Sequence, residues 1–593
     1  MPGAIHRNSR ISLLWSRVFY SRLSVFLLIA AEFGCQKKAA GPPPRYAVLR
    51  FENLTGDPAF DWTGRAASEM LSYSLSGAMD GAVLNSAALG RLAGTLGTRP
   101  AAVPGISSER TQAIVAGATR LISGYISRAG VEVRIVAQEE DLATGKSLRT
   151  VSATSASPLP AINLLARQFS DRAKPYLTSR EDAARLYFSG VEAPFDITQR
   201  NLAEAVKLDP GFGPAWLSWA GLALVRGDRA EAANRIAEAH THKLDALTEA
   251  SLDSESASLQ NDPVARLAAL QRISNLSPGD IVLLRSLAEN ETTSGQFAAA
   301  MISWKKVIEA LPGDLVAWNS LGYLHAYTGD YAAAMAALNE YKRLRPADAN
   351  PIDSTGDVQY WFGKFREAAA SYEAANAKDP NALRFGELYK AAWAKFKAGD
   401  KAAADASFEK FRDAREKLPD PLTPLLTADW FYRTGRTKEG IAILRKTLKE
   451  TASPQLKSDA AAQLAIWDLL AGNRAAAGQD AAWDGTPTTA SAALVRFVML
   501  PSASAAEWQT RAARMLPGPA AEALRRVALG YALLLDGKRT EAIPVWQQIA
   551  QKSAATDFST RAIATRLQGN PLQHPLIPNP NNLNQFAAVL DTL

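Results

Sequence analysis

Residues 315–348 read LVAWNSLGYLHAYTGDYAAAMAALNEYKRLRPAD, a stretch that carries its own punctuation. Trp318 and Leu321 are large, Gly322 and Ala334 small, Gly329 a turn and Pro346 a stop. The small residues let two helices approach closely, Gly329 supplies the turn between them, and Pro346 breaks the second helix. The same marks recur at a period of 34. Pro278, Pro312, Pro346 and Pro380 keep it, as do Gly295, Gly329 and Gly363. So do Phe297, Tyr331 and Phe365, and Ala300, Ala334 and Ala368. Several residue types holding one register define a repeat array of helix pairs.

The pattern of Trp318, Leu321, Gly322, Gly329, Tyr331, Ala334, Leu338 and Pro346 resembles the tetratricopeptide repeat (TPR). Upstream the frame continues without insertion to Pro210, and Trp216, Trp219, Ala220, Gly227 and Ala232 fit one unit. The unit at 247–280 keeps its proline and little else. Downstream the frame slips by a few residues, with Gly399, Gly435 and Gly472 as the recurring turns. Leu529, Gly530, Gly537 and Ala542 mark a further unit beyond a degenerate stretch near 483–520. The expectation is an α-solenoid of about nine to eleven helix pairs over 179–552, then a tail with a short helix over 553–593.

Before the array, Tyr46–Phe51 reads as a strand and Asn53–Pro58 as a turn. Trp62, Ala66, Met70 and Tyr73 fall on one helical face. Arg120–Ile126 and Val131–Ala137 read as a hairpin joined through Gly130, the second strand alternating Val131, Val133, Ile135 and Ala137. This predicts a small α/β domain over 46–178. "AVLRFENLTGDPAFDW" and "ATRLISGYISRAGVEVRIVAQEEDLATGKSL" resemble the TolB amino-terminal-like domain found beside TPR arrays in bacterial proteins. That resemblance implies an envelope-associated or regulatory interaction module and no catalytic constellation.

The N-terminus has the order of an export signal. Arg7, Arg10, Arg17 and Arg22 precede the apolar run Val25–Ala31, then Gly34-Cys35 and a polar stretch. Residues 1–35 resemble a bacterial lipoprotein signal, which implies Cys35 as the lipidated first residue of the mature chain. Glu32 and Phe33 depart from that pattern, and an uncleaved anchor or a different start codon would also account for the stretch. The apolar run is far shorter than the ~20 residues that span a bilayer. Residues 36–45, with Gly41-Pro-Pro-Pro44, form a proline-rich linker.

With 593 residues, 47% of them hydrophobic, at least two folded regions are expected. A net charge of +7 without a dense basic stripe gives no reason to expect nucleic acid as a partner. One cysteine, Cys35, excludes an intramolecular disulfide and a Cys-rich zinc site. His240 and His242 are splayed two apart on a helix and read as solvated or capping residues, and Glu139-Glu140 as solvated charge beside a turn. No phosphate loop, dinucleotide motif, serine elbow or His-Glu-x-x-His is present, so no enzyme, cofactor or metal is expected.

In TPR families ligands generally lie against the first helix of each pair. That rule implies a peptide groove of Asn319, Tyr323, Tyr327, Tyr360, Trp361, Tyr389 and Trp393, flanked by Arg285 and Lys397. Ordinary packing between repeats is the competing account of each of these residues. The expected function is a non-enzymatic scaffold of the bacterial cell envelope, anchored through its N-terminus, that binds proteins or peptide segments. Two alternatives stand beside it. One is a sensory module whose α/β domain binds a ligand and whose repeats relay to a partner. The other is a polymer-handling envelope enzyme, which requires a carboxylate pair in a cleft.

Overall fold

The structure is a computed structural model that describes residues 43–84, 106–481, 490–515, 522–578 and 586–593, apart from positions 192, 279, 383, 419 and 502. Residues 1–35, over which the export signal and Cys35 lipidation are expected, and most of the expected linker lie outside the described residues. Packing divides the chain into one compact unit of 1–248 with 277–280 and a second of 249–276 with 281–593.

The first unit opens with a six-stranded sheet. Strands β1 (Arg45–Val48), β2 (Glu52–Asn53), β3 (Ala82–Leu84), β4 (Arg120–Ala129), β5 (Glu132–Asp141) and β6 (Lys146–Ser155) give the order β3-β1-β4-β5-β6, with β2 also on β4. β1 runs parallel to β3 and β4, and β4-β5-β6 is an antiparallel meander. All four residues of β1 are buried, as expected of a short parallel strand in a sheet interior. Helices Trp62–Leu75 and Pro158–Phe169 pack on the sheet and on each other. Trp62, Ala66 and Met70 point into the core, while Tyr73 is half-buried edge-on to Tyr176.

Two sequence expectations need correction. Val131 is 89% exposed, because the hairpin turns at Gly130-Val131 and the alternation starts at Val133. Glu139 and Glu140 are not solvated charges. Glu139 is buried and pairs across the strands with Arg149 at 2.7 Å, and Glu140 holds Arg110 through both oxygens. β6 and the helix Pro158–Phe169 had no counterpart in the sequence reading.

Four helices complete the first unit: Glu181–Gly190, Phe195–Leu208, Gly213–Val225 and Arg229–Ala239. Glu69, on the first sheet-packing helix, accepts hydrogen bonds from Tyr176 at 2.9 Å and from Tyr187 of helix Glu181–Gly190 at 3.1 Å. Burial holds the Glu69 carboxyl above its ordinary value, with the two hydroxyls opposing. His242 stacks on Trp216, and among the described residues no cluster of His, Cys, Asp or Glu could hold a metal.

The second unit is a tandem of helix pairs with one repeated device. A buried small residue on the first helix stands sixteen positions before a buried large one on the second: Ala288 and Trp304, Gly322 and Leu338, Gly356 and Tyr372, Ala392 and Phe408, Ala428 and Leu444, Gly530 and Trp546, with the large side chain lying directly against the glycine in the three glycine pairs. Ala220 and Ile236 hold the same spacing, both buried, in the first unit. Between the helices a glycine adopts positive φ, from Gly227 (+78°) through Gly329 (+85°) to Gly537 (+75°). Asp228, Asp330 and Asp400 follow such glycines and cap the second helix with their side chains. The unit at 247–280, degenerate in sequence, still forms its pair, Ala246–Gln260 and Pro263–Leu276. Asn261 takes the glycine's place at φ +55°, one of few residues besides glycine that tolerate this region. Among the described residues no helix is long and apolar enough to cross a membrane.

A Cβ on Gly356 would lie 2.7 Å from the Tyr372 ring, whose hydroxyl is fixed by Asp357 and cannot swing aside. Gly356→Ala is therefore expected to cost about 1–3 kcal/mol. Chemical denaturation followed by tryptophan fluorescence measures it, and an unchanged midpoint would remove the close-approach role.

Candidate functional site

Five consecutive first helices end on the residue two before the turn glycine. They are Ile281–Thr293, Leu315–Tyr327, Asn350–Trp361, Gly386–Lys397 and Thr423–Arg433, ahead of Gly295, Gly329, Gly363, Gly399 and Gly435. The repeat thus sets Thr293, Tyr327, Trp361, Lys397 and Arg433 in a row of equivalent positions. Helix C-terminal carbonyls have no partner within their own helix, so such a row also offers free acceptors.

An aromatic cluster stands on this row. Tyr323 lies 5.5 Å from Trp361 by ring centroids, Tyr327 lies 5.3 Å from Trp361, and Phe297 flanks Tyr327 at 5.6 Å. The cluster is covered by the chain's own C-terminal region. Phe558 packs 5.1 Å from Tyr327 and 5.7 Å from Trp361, and His574 packs 5.5 Å from Trp361. Gln573 Nε2 donates to the Tyr327 carbonyl at 3.3 Å, and the Ala555 N–H donates to the Thr293 carbonyl at 2.8 Å. Ile577 packs on the core of Tyr360, Ala368, Tyr372, Ala391 and Ala394, and Asp591 pairs with Arg433 at 2.6 Å.

His574 is buried and neither ring nitrogen makes a hydrogen bond of good geometry. Burial lowers its pKa below the ordinary value of 6.5, with the Tyr327 main chain pulling weakly the other way. Of the groups packed around it, Tyr327 titrates, and burial pushes its hydroxyl up to about 12, so it stays neutral.

Beneath the aromatics lies a buried polar network. Lys390 Nζ donates to both oxygens of Asp353 at 2.9 and 2.8 Å and to Asp357 at 2.9 Å. Asp357 also accepts from the Tyr323 and Tyr372 hydroxyls, each at 2.9 Å. Burial raises Asp353 above the usual carboxylate range against the pull of Lys390. Burial acts to lower Lys390, but the two carboxylates outweigh it and hold the ammonium charged. One turn earlier, Glu387 is fully buried with both oxygens unpartnered, and burial pushes its pKa to about 7.

The expected groove residues therefore divide. Tyr323, Tyr327 and Trp361 come together, and Lys397 is exposed on the same row. Tyr360, Tyr389 and Trp393 are instead buried between helices, against Phe365, Phe411 and Trp430. Neighbours in a helix point about 100° apart, so Tyr360 and Trp361 cannot both face outward. Arg285 is held by Asp314, which caps the helix beginning at Leu315, and Asn319 is half-buried with its Oδ1 unpartnered. The sequence reading missed Lys390, Asp353 and Asp357, and above all the C-terminal partner. The signal for the latter was Leu572, Leu576 and Ile577 set in a proline-rich stretch between Pro571 and Pro578.

Residues 388–414 match the tetratricopeptide repeat family. No curated protein matches the chain in sequence. Among solved structures, MamA 41-end from Desulfovibrio magneticus is 16% identical, over 30% of this chain and 98% of its own, with a TM-score of 0.26. A tetratricopeptide repeat protein from Parabacteroides merdae is 12% identical, over 55% and 99%, at 0.30. The C-terminal part of a TPR repeat-containing protein from Cytophaga hutchinsonii is 14% identical, over 40% and 95%, at 0.33. At these scores the repeat assignment rests on the family match and on the chain's own helix pairs.

Two outcomes follow from the charges at this site. Lys390→Met leaves two buried carboxylates without their cation and is expected to lower stability by about 3 kcal/mol at neutral pH. Urea denaturation at several pH values reads it, with the cost shrinking in acid as the carboxylates protonate. His574, its pKa depressed on docking, favours the docked segment fully above about pH 6.5 and progressively less as pH falls through the docked value. An NMR titration, with the His574 signal identified by His574→Asn, is expected to show a pKa below 6.5, and a value at or above it contradicts the buried placement.

Proposed function

We propose that this tetratricopeptide-repeat chain is a non-enzymatic interaction scaffold of the bacterial cell envelope. Its N-terminal segment anchors it, lipidated at Cys35, and partner proteins or peptide segments dock along the row of first-helix ends. The observation that carries the reading is the row itself. It offers an aromatic pair, the exposed Lys397 and main-chain acceptors to an extended chain, the mix that dominates peptide-binding surfaces. The envelope location rests on the basic stretch, apolar run and Gly34-Cys35 of the first 35 residues. The TolB-like resemblance of the α/β region points the same way. Neither nucleic acid nor a cofactor has a role in it.

A second reading has one observation in its favour. A cavity of about 380 Å³ in the α/β region is lined by Tyr46, Asp80, Glu139, Arg149 and Phe169. Its charged lining suits a small polar ligand, and the Glu69 hydrogen bonds connect this region to the first array helix. Binding there would make the chain a sensor whose repeats relay the signal.

The test is a photo-crosslinking amino acid at Lys397 in cells, with intact-mass spectrometry of the chain recovered from membranes. The scaffold reading expects a discrete crosslinked protein from the envelope fraction. It also expects a mature chain that begins at Cys35 with added acyl mass, lost in Cys35→Ala. An uncrosslinked chain of full-length, unmodified mass would overturn it.

A further inference from the structure

The C-terminal contacts keep an order. Ala555 meets Thr293, Phe558 meets Tyr327 and Trp361, His574 meets Trp361, Ile577 meets the Tyr360 core, and Asp591 meets Arg433. Position along the tail thus follows position along the array, across repeats whose first helices end at residues 293 to 433. Residues 570–578 contain no helix or strand and are held by side-chain plugs and a bond to an orphan helix carbonyl. This is how an extended ligand lies on a surface. It is not how the repeats pack on one another.

The fit is also incomplete. His574 is buried with neither nitrogen in a well-formed hydrogen bond. Lys397, the one cation of the row between the Ile577 contact and Arg433, is exposed. No acidic residue occurs between Asn570 and Leu590 that could neutralise it. An unpaired polar group in an apolar site costs free energy, so the segment is a weaker occupant than the site could take.

We propose that residues 570–578 are a tethered pseudo-ligand, and that the row is the docking site of an extended peptide from another protein. That peptide carries an apolar or aromatic plug for the Tyr327–Trp361 cleft and an acidic residue placed C-terminal to it for Lys397. The segment must leave before the partner binds, so the chain is self-inhibited at rest. Apparent affinity is then reduced by the fraction of molecules with the segment undocked. The proposal rests on the scaffold reading and adds to it the partner's chemistry and the regulation of access.

The experiment uses the full-length chain and two fluorescent peptides. One is the sequence of residues 570–578, and the other is the same sequence extended by Asp-Glu. Anisotropy is measured with the wild type and with a released variant, His574→Ala with Ile577→Ser. The released variant is expected to bind both peptides about 10-fold more tightly than the wild type. Trp361→Ala in that background should abolish binding, and Lys397→Glu should weaken the acidic peptide alone. Gln573→Ala, at an exposed position, removes only the bond to Tyr327 and should give a smaller shift in the same direction if the double variant misfolds. Equal affinity in wild type and variants, or binding insensitive to Trp361→Ala, overturns the proposal. If neither peptide binds while the Lys397 crosslink still captures an envelope protein, the pseudo-ligand fails and the scaffold stands. Peptide binding without any crosslinked partner is the reverse case.

Discussion

The array depends on one steric constraint that recurs in most of its pairs: a small residue on the first helix meets a large one on the second. Gly322 under Leu338, Gly356 under Tyr372 and Gly530 under Trp546 leave no room for a methyl group, with added Cβ atoms 2.7 to 2.8 Å from their neighbours. Ala288, Ala392 and Ala428 are small and buried at the equivalent positions, sixteen residues before the buried Trp304, Phe408 and Leu444. Interiors are packed to crystal-like density, so a contact of this kind fixes both the separation and the rotation of the two helices. Repeating it fixes the phase of every pair, because each unit packs chiefly on its neighbours.

The functional surface follows from that phase. Because each of these first helices ends at the same point relative to its turn glycine, Thr293, Tyr327, Trp361, Lys397 and Arg433 recur in one row. What differs between repeats is what each brings to the row: a carbonyl, aromatic rings, an ammonium and a guanidinium. The buried Lys390–Asp353–Asp357 network ties the floor of this row to two tyrosines from different helices, Tyr323 and Tyr372. Buried charges held by several partners cost little flexibility and keep the aromatic pair above them in place. A rigid row with chemically varied positions is what reading an extended chain requires.

The repeats were legible in the sequence because their marks are local and periodic. A turn glycine, a helix-ending proline and a small-residue position can each be read without knowing the fold. The degenerate unit at 247–280 was legible in part, since Asn261 replaces the glycine by a backbone conformation and not by residue identity. Burial was harder to read. Tyr360, Tyr389 and Trp393 occur on first helices as a groove requires, but the direction of a side chain depends on a 100° step that a positional rule ignores. Glu139 misled in the opposite sense, because its partner Arg149 comes from a strand the sequence did not reveal. The C-terminal segment was least legible of all. The bond from Gln573 to Tyr327 joins residues 246 positions apart, and nothing periodic announces such contacts.

The central claim is that the segment around His574 lies on the Tyr327–Trp361 cleft. Spin labels at the exposed positions Thr328 and Gln573, in a Cys35→Ser background, test it through their distance distribution. The account predicts one narrow, short distance at neutral pH that broadens and lengthens in acid. A broad, long distribution at neutral pH would contradict it.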